Sequence, residues 1–170
     1  MNATLGRETD PQLEAMYQEV ILDHYRHPHG RGLREPFDTE VHHVNPVCGD
    51  EITLRLSLRT ADEGAGEQEV NLSFEAQGCS ISQAAASVMF EQVEGVPLTR
   101  ALAVGEQFRE LMDSATREVN VDEETLGDGI AFAGVARYPA RVKCALLPWM
   151  ALRDAAARVV GPEVVEGDRE

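Results

Sequence analysis

Between Ile52 and Ala76 the apolar residues fall on every second position, in two runs, and beyond that stretch they fall every third or fourth. Ile52, Leu54, Leu56 and Leu58 alternate with Thr53, Arg55, Ser57 and Arg59, and Val70, Leu72, Phe74 and Ala76 alternate with Asn71, Ser73 and Glu75. Successive side chains of a strand point to opposite faces, so each run predicts a strand with one buried face. The connection between them, TADEGAGEQE, is glycine-rich and acidic, as suits an exposed hairpin. A shorter run from Glu40 to Val44 predicts a third strand. Neighbours joined by short connections form an antiparallel sheet.

Helical spacing frames the sheet. Leu13, Met16, Tyr17, Val20, Ile21, His24 and Tyr25 form the stripe of an amphipathic helix over about 11–27, with Asp10 as cap, Pro11 at its first position and HPHGRG at its end. After the second long strand, SISQ reads as a capping box, with the Ser80 hydroxyl serving the Gln83 amide. Ala84, Ala85, Ala86, Val88, Met89 and Val93 then give a small-residue helix able to approach the sheet closely. Further helical pieces are expected over 98–104, 106–112 and about 140–160, and Pro148 either kinks the last or divides it in two. The acidic stretch 113–137 reads as a solvated face with one short helix between loops, and 161–170 as a frayed tail. Strands followed by helices give an α+β fold: a small antiparallel sheet of about three strands packed by helices, in one domain spanning 1–170.

Acidic residues outnumber basic ones 30 to 15, for a formal charge of −15. That field repels phosphate backbones and anionic lipid, which argues against nucleic-acid or membrane partners and for a basic patch on another protein. The first twelve residues lack both the basic start and the apolar run of a signal peptide, so a reducing, cytoplasmic location is expected. In that setting three cysteines serve metal or catalysis more often than disulfides.

Cys48 and Asp50 flank a glycine at the start of the first long strand, and i, i+2 side chains of an extended backbone share a side. Cys79 precedes the SISQ helix, whose N-terminal amides favour a thiolate. Cys144 lies in the opening turns of the final helix, just after two basic residues, Arg141 and Lys143. Together they make a Cys3Asp set suited to tetrahedral Zn²⁺, with iron or a cluster as the alternative. The spacing is no zinc-finger ribbon, and a cysteine near a helix start is also what a small buried hydrophobe looks like. His42 and His43 read as a solvated pair, His24 as a half-buried hydrogen-bonded residue, and Trp149 as a core anchor. His27 and His29 sit in a turn with no spacing that makes them ligands alongside a cysteine.

Four segments in order, YQEVILDHYRHPHG (17–30), NPVCGD (45–50), FEAQGCSIS (74–82) and YPARVKCA (138–145), resemble the SufU-type branch of the IscU-like, or NifU N-terminal-like, iron–sulfur cluster assembly family. Lys143 stands where IscU types carry a histidine, YPARV lacks their proline-rich chaperone motif, and the gap from Cys79 to Cys144 is long. All three departures favour the SufU type. The resemblance implies an IscU/SufE-like fold, one zinc on Cys48, Asp50, Cys79 and Cys144, and a zinc-dependent sulfurtransferase of iron–sulfur cluster biogenesis. The implied partner is a SufS-type, pyridoxal-phosphate cysteine desulfurase that supplies a ligand in place of Cys48 and delivers persulfide sulfur to it. Arg141 is implied in docking or in stabilising the transferred sulfur, which passes to a downstream iron–sulfur scaffold. The alternative is a scaffold that assembles a [2Fe–2S] cluster on its own cysteines, which the absent imidazole at 143 disfavours.

Overall fold

The computed structural model describes residues 2–5, 10–60 and 66–166. Both alternating runs and the short one are strands: β2 (Thr39–Asn45), β3 (Asp50–Thr60) and β4 (Gln68–Gln77) form an antiparallel sheet in the order β2-β3-β4. Its buried face carries Val41 from β2, Ile52, Leu54 and Leu56 from β3, and Val70, Leu72, Phe74 and Ala76 from β4. The same parity brings two polar residues to the end of that face. Asn45 and Asp50 are cross-strand partners, and both are buried. Of the expected connection over 60–69, Thr60 ends β3 and Gln68 and Glu69 open β4, and 61–65 lie outside the described residues.

Helix α1 (Pro11–Arg26) begins as its sequence dictates, with Asp10 Oδ1 accepting from the Gln12 amide at 2.9 Å and proline at its start. Asp10→Ala leaves that amide uncapped and is expected to lower stability by about 1 kcal/mol, measurable by urea unfolding. Helix α2 (Ser80–Val93) lies behind α1 and against β4. Its cap differs from the expected box: Cys79 is the N-cap residue, Ser80 already belongs to the first turn, and Gln83 Nε2 donates to the Gly78 carbonyl at 2.8 Å. The chain leaves β4 through Gly78, so the thiol-bearing residue itself sits at the helix mouth.

The two pieces expected over 98–112 are one helix, α3 (Leu98–Met112), because Ala101, Val104, Phe108 and Leu111 form one buried stripe across Gly105. Segment 113–137 is more ordered than its acidity suggests. Within it β5 (Val119–Asp122) pairs antiparallel with β1 (Asn2–Leu5), and after β5 come α4 (Glu123–Leu126) and a 3-10 stretch, Gly127–Arg137. Glu118, Glu123 and Glu124 face solvent, but Phe132 is fully buried and meets Phe108 edge-on at 5.4 Å. Burying that apolar half outweighs the solvated reading of the acidic half.

The final helix, α5 (Pro139–Val160), runs through Pro148 as one element and lies across β2 and β3. Cys144, Leu147, Pro148, Trp149, Ala151 and Leu152 are all buried, so packing holds the helix together across the missing backbone bond. Trp149 is the expected anchor, stacked on Phe108 at 5.2 Å. Pro162–Glu166 form a further short helix, α6, in the stretch read as a frayed tail, and 167–170 lie outside the described residues. Among the described residues no helix is long and apolar enough to cross a membrane.

Candidate metal centre

Three junctions meet where the inner face of the sheet runs out: the β2–β3 turn, the passage from β4 into α2, and the second turn of α5. Each contributes a cysteine. Residues 46–49 form the turn that closes the Asn45–Asp50 pair, with the Gly49 amide donating to the Asn45 carbonyl at 2.9 Å. Gly49 has φ of +71°. Cys48 therefore lies in a tight turn rather than on extended backbone, and glycine's left-handed conformation, not strand alternation, brings its thiol round toward Asp50.

Cys48 is exposed, Cys79 half-buried and Cys144 fully buried. The Cys144 Sγ lies 3.4 Å from the Cys48 Sγ, although 96 residues separate them. Donor atoms of Cys48, Asp50 and Cys144 fall within 4.8 Å of one another. Cys79 stands beside this trio rather than inside it: its amide donates to Asp50 Oδ1 at 2.8 Å and its thiol reaches both Asp50 and Cys144. All four expected ligands are thus gathered at one place, three of them within a single ion's reach.

Asp50 is wholly buried, and its second oxygen, Oδ2, has no hydrogen-bond partner. A carboxylate oxygen left unpartnered in the interior costs about 1–3 kcal/mol or more, and a cation beside three thiols would satisfy it. Soft sulfur donors with one oxygen fit zinc. Burial pushes the Asp50 carboxyl up, yet hydrogen bonds from the Cys144 thiol, the Cys79 amide and the Cys79 and Ser82 side chains outweigh it and hold the group below its ordinary range. Burial likewise pushes the Cys144 thiol well above its ordinary value, reinforced by hydrogen bonding to Asp50, Cys48 and Cys79.

Sequence reasoning missed several residues that build this place. Asn45 Nδ2 points at Cys144 Sγ, 3.8 Å away, and its Oδ1 accepts from the Val47 amide at 3.3 Å, so one side chain ties the turn to the buried thiol. Ser82 lies 3.8 Å from Cys79 Sγ and returns a hydrogen bond to the Cys79 carbonyl. Asn45 was open to discovery from the alternation Val41, His43, Asn45; Ser82 was hidden by reading Ser80 as the cap.

Arg141 is exposed on the first turn of α5, and no ion pair or side-chain hydrogen bond holds it among the described residues. With Tyr138, Ser80, Ile81, Tyr17 and Ile21 it lines a groove of about 420 Å³ between α1, the start of α2 and the start of α5. The histidines lie elsewhere. His42 meets Thr53 Oγ1 at 3.0 Å on the exposed side, whereas His43 is half-buried and bonds Asp154 Oδ2 of α5 at 2.8 Å. His24 is more deeply buried than its stripe position implied and bonds Ser87 and Asp128.

The profile described as NifU-like N terminal domain matches residues 16–145. The zinc-dependent sulfurtransferase SufU of Bacillus subtilis is 36% identical over 150 residues, which is 88% of this chain and 95% of that protein. The iron–sulfur cluster assembly scaffold protein IscU of Streptococcus pyogenes is 35% identical, over 86% of each chain. Among solved structures, the putative SUF-system scaffold FiSufU of Fervidobacterium islandicum superposes with a TM-score of 0.70 at 34% identity, covering 84% of this chain and 97% of that one. The N-terminal part of a NifU-like protein from Brucella abortus, at 22% identity and a TM-score of 0.73, shares the fold.

Proposed function

The chain belongs to the NifU-like N-terminal domain family, and from that premise we propose that it is a zinc-dependent sulfurtransferase of iron–sulfur cluster biogenesis. It accepts persulfide sulfur from a cysteine desulfurase of the SufS type, in a reducing cytoplasm where its three cysteines stay unpaired. The observation that carries this reading is the buried, unpartnered Asp50 Oδ2 beside an exposed and a buried thiol 3.4 Å apart.

Cys48, Asp50, Cys79 and Cys144 would hold the zinc. When bound, the ion keeps its cysteine ligands deprotonated near neutral pH. Cys48 is the nucleophile, because it alone of the three is exposed and sits on a turn that a partner's chain can reach. Its thiolate attacks the terminal sulfur of the partner's persulfide. A new S–S bond forms at Cys48, the partner's S–S bond breaks, and the partner's cysteine leaves as a thiolate, with no net oxidation. Cys144, buried and tied to Asn45, anchors the site instead of reacting. Arg141, which has no ion pair among the described residues, meets the partner or the incoming sulfur anion from the groove.

Metal binding should follow pH with a definite sign. Without metal the Cys144 thiol stays protonated through neutral pH, because its value is raised, while Asp50, held low, is already ionised. Zinc must displace at least the Cys144 proton, so affinity should rise with pH by about tenfold per unit or more. Zinc titrations between pH 6 and pH 8 check this; a flat profile would contradict it.

The function is tested by desulfurase turnover with and without this protein, using zinc-loaded and chelated samples. Stimulation by the loaded form and none by the chelated form is expected. The likeness to the Streptococcus pyogenes scaffold favours a second reading, cluster assembly on the same cysteines. Brown protein with stoichiometric iron and sulfide would support that reading, and colourless protein carrying zinc the first.

A further inference from the structure

Helix α1 delivers His24 into the seam with α2, where the ring is 3% exposed. One ring nitrogen is fixed there: Nδ1 lies 2.7 Å from Ser87 Oγ, and that hydroxyl also accepts from the His29 amide at 2.9 Å. The other, Nε2, looks out of the seam to a hydrogen bond with Asp128 Oδ2 at 2.7 Å, with Glu91 Oε2 beyond hydrogen-bond distance at 3.8 Å. The turn after α1 folds His29 over the same spot, with its Nε2 3.4 Å from Glu91 Oε2 and its ring 5.3 Å from that of His24. Donor atoms of His24, His29 and Glu91 lie within 4.8 Å of one another. No lysine or arginine pairs with Glu91 or Asp128 among the described residues.

We propose that His24, His29, Glu91 and Asp128 form a second, thiol-free site for a divalent first-row cation of the zinc type, pinning the 127–137 segment onto the α1–α2 pair. The charge balances, since two carboxylates facing two neutral imidazoles leave −2 for a dication. The spacing of the His24, His29 and Glu91 donors fits as well, since bonds of about 2.0–2.2 Å place neighbouring tetrahedral donors about 3.4 Å apart, whereas Asp128 stands beside this trio and meets it through His24 Nε2. Two nitrogens and two oxygens favour zinc or a related transition ion over calcium or magnesium. The bond from His24 to Ser87 is the outer contact that ligating histidines characteristically make on their second nitrogen. As the ion enters, the His24 proton moves from Nε2, where it bridges to Asp128, to Nδ1, where it is donated to Ser87 Oγ. The His24–Asp128 contact then opens from hydrogen-bond distance to the spacing of two ligands. The site draws on four elements, the end of α1, the following turn, α2 and the 3-10 stretch, and shares no residue with the cysteine cluster.

Cobalt(II) titration of metal-free protein tests the proposal, because the two kinds of site look different. Cobalt on thiolates adds strong near-ultraviolet charge-transfer absorption, and cobalt on nitrogen and oxygen gives only weak visible bands. Wild-type protein should show both classes. His29→Gln and Glu91→Gln, each at a partly exposed position, should weaken the thiol-free class at least roughly tenfold and leave the charge-transfer band unchanged. Asp113→Asn, on an exposed acid outside the cluster, should alter neither. A wild type without the thiol-free class, or one whose thiol-free class survives both substitutions, overturns the proposal. Loss of the charge-transfer class alone would count against the cysteine site and not against this one.

Discussion

Cys48→Ala is expected to remove sulfur acceptance altogether, a fall on the order of 10²-fold or more, while barely disturbing the fold. The two halves of that expectation have separate causes. Cys48 is exposed in a four-residue turn, so truncating it opens no cavity, and metal-free stability should stay within about 0.5 kcal/mol of wild type. The nucleophile that the proposed mechanism uses is nonetheless gone, and of the other two thiols Cys144 is wholly buried and Cys79 half-buried. Cys48→Ser sharpens the comparison by keeping the shape and replacing a good sulfur nucleophile with a poor one. Desulfurase turnover in the presence of each variant, beside thermal melts of the metal-free proteins, separates chemistry from folding. Turnover as high as with wild type would remove Cys48 from the transfer step.

Gly78→Ala is expected to be as damaging by the opposite route, breaking the site through its backbone. Gly78 has φ of +138°, and a β-carbon there would sit 2.8 Å from the Asp50 Cα. A clash with backbone cannot be relieved by a rotamer change, so Asp50 or the start of α2 must shift. Strain from the conformation and overpacking together should cost about 3 kcal/mol. The shift would also pull the Cys79 amide from Asp50 Oδ1, and zinc content should fall with stability. Gly49→Ala is the matching control. Its φ is also positive, at +71°, but nothing lies within 4 Å of the added carbon, so only conformational strain of about 1–2 kcal/mol is expected. Urea unfolding and zinc content of both variants test the contrast; equal losses would mean that the Asp50 contact is not what fixes Gly78.

Much of this site could be read from the sequence because it extends the same alternation that builds the core. Ile52, Leu54 and Leu56 point inward, and stepping back two residues reaches Asp50, which makes a carboxylate continue a buried apolar series. The amphipathic stripe of α1 and the small-residue face of α2 were equally plain, since each is long enough for its period to show. What escaped was short or set by remote contacts. The β1–β5 ribbon pairs four residues with four, too few for a period, across more than a hundred residues of chain. The cap of α2 moved to Cys79 because Asp50, on another strand, takes the Cys79 amide. Pro148 looked like a kink or a division because local chemistry forbids its backbone bond, and only burial on α5 shows why the helix continues as one element.

The same limit applies to the histidines. One-dimensional spacing set His29 apart from any cysteine and the helical stripe read His24 as a half-buried hydrogen-bonded residue, and both do lie apart from the cysteines. Their proximity to Glu91 and Asp128 arises from how the 3-10 stretch folds over the α1–α2 seam. Acidic composition alone assigned Asp128 to a solvated face, whereas it bonds a buried imidazole at 2.7 Å.

Peptide mass spectrometry under non-reducing conditions, after zinc-loaded protein has turned over with a pyridoxal-phosphate cysteine desulfurase and L-cysteine, reads the acceptor most directly. One extra sulfur atom on the peptide carrying Cys48 is the predicted result. A chain recovered unmodified, or with the extra sulfur on Cys79 or Cys144, would contradict it.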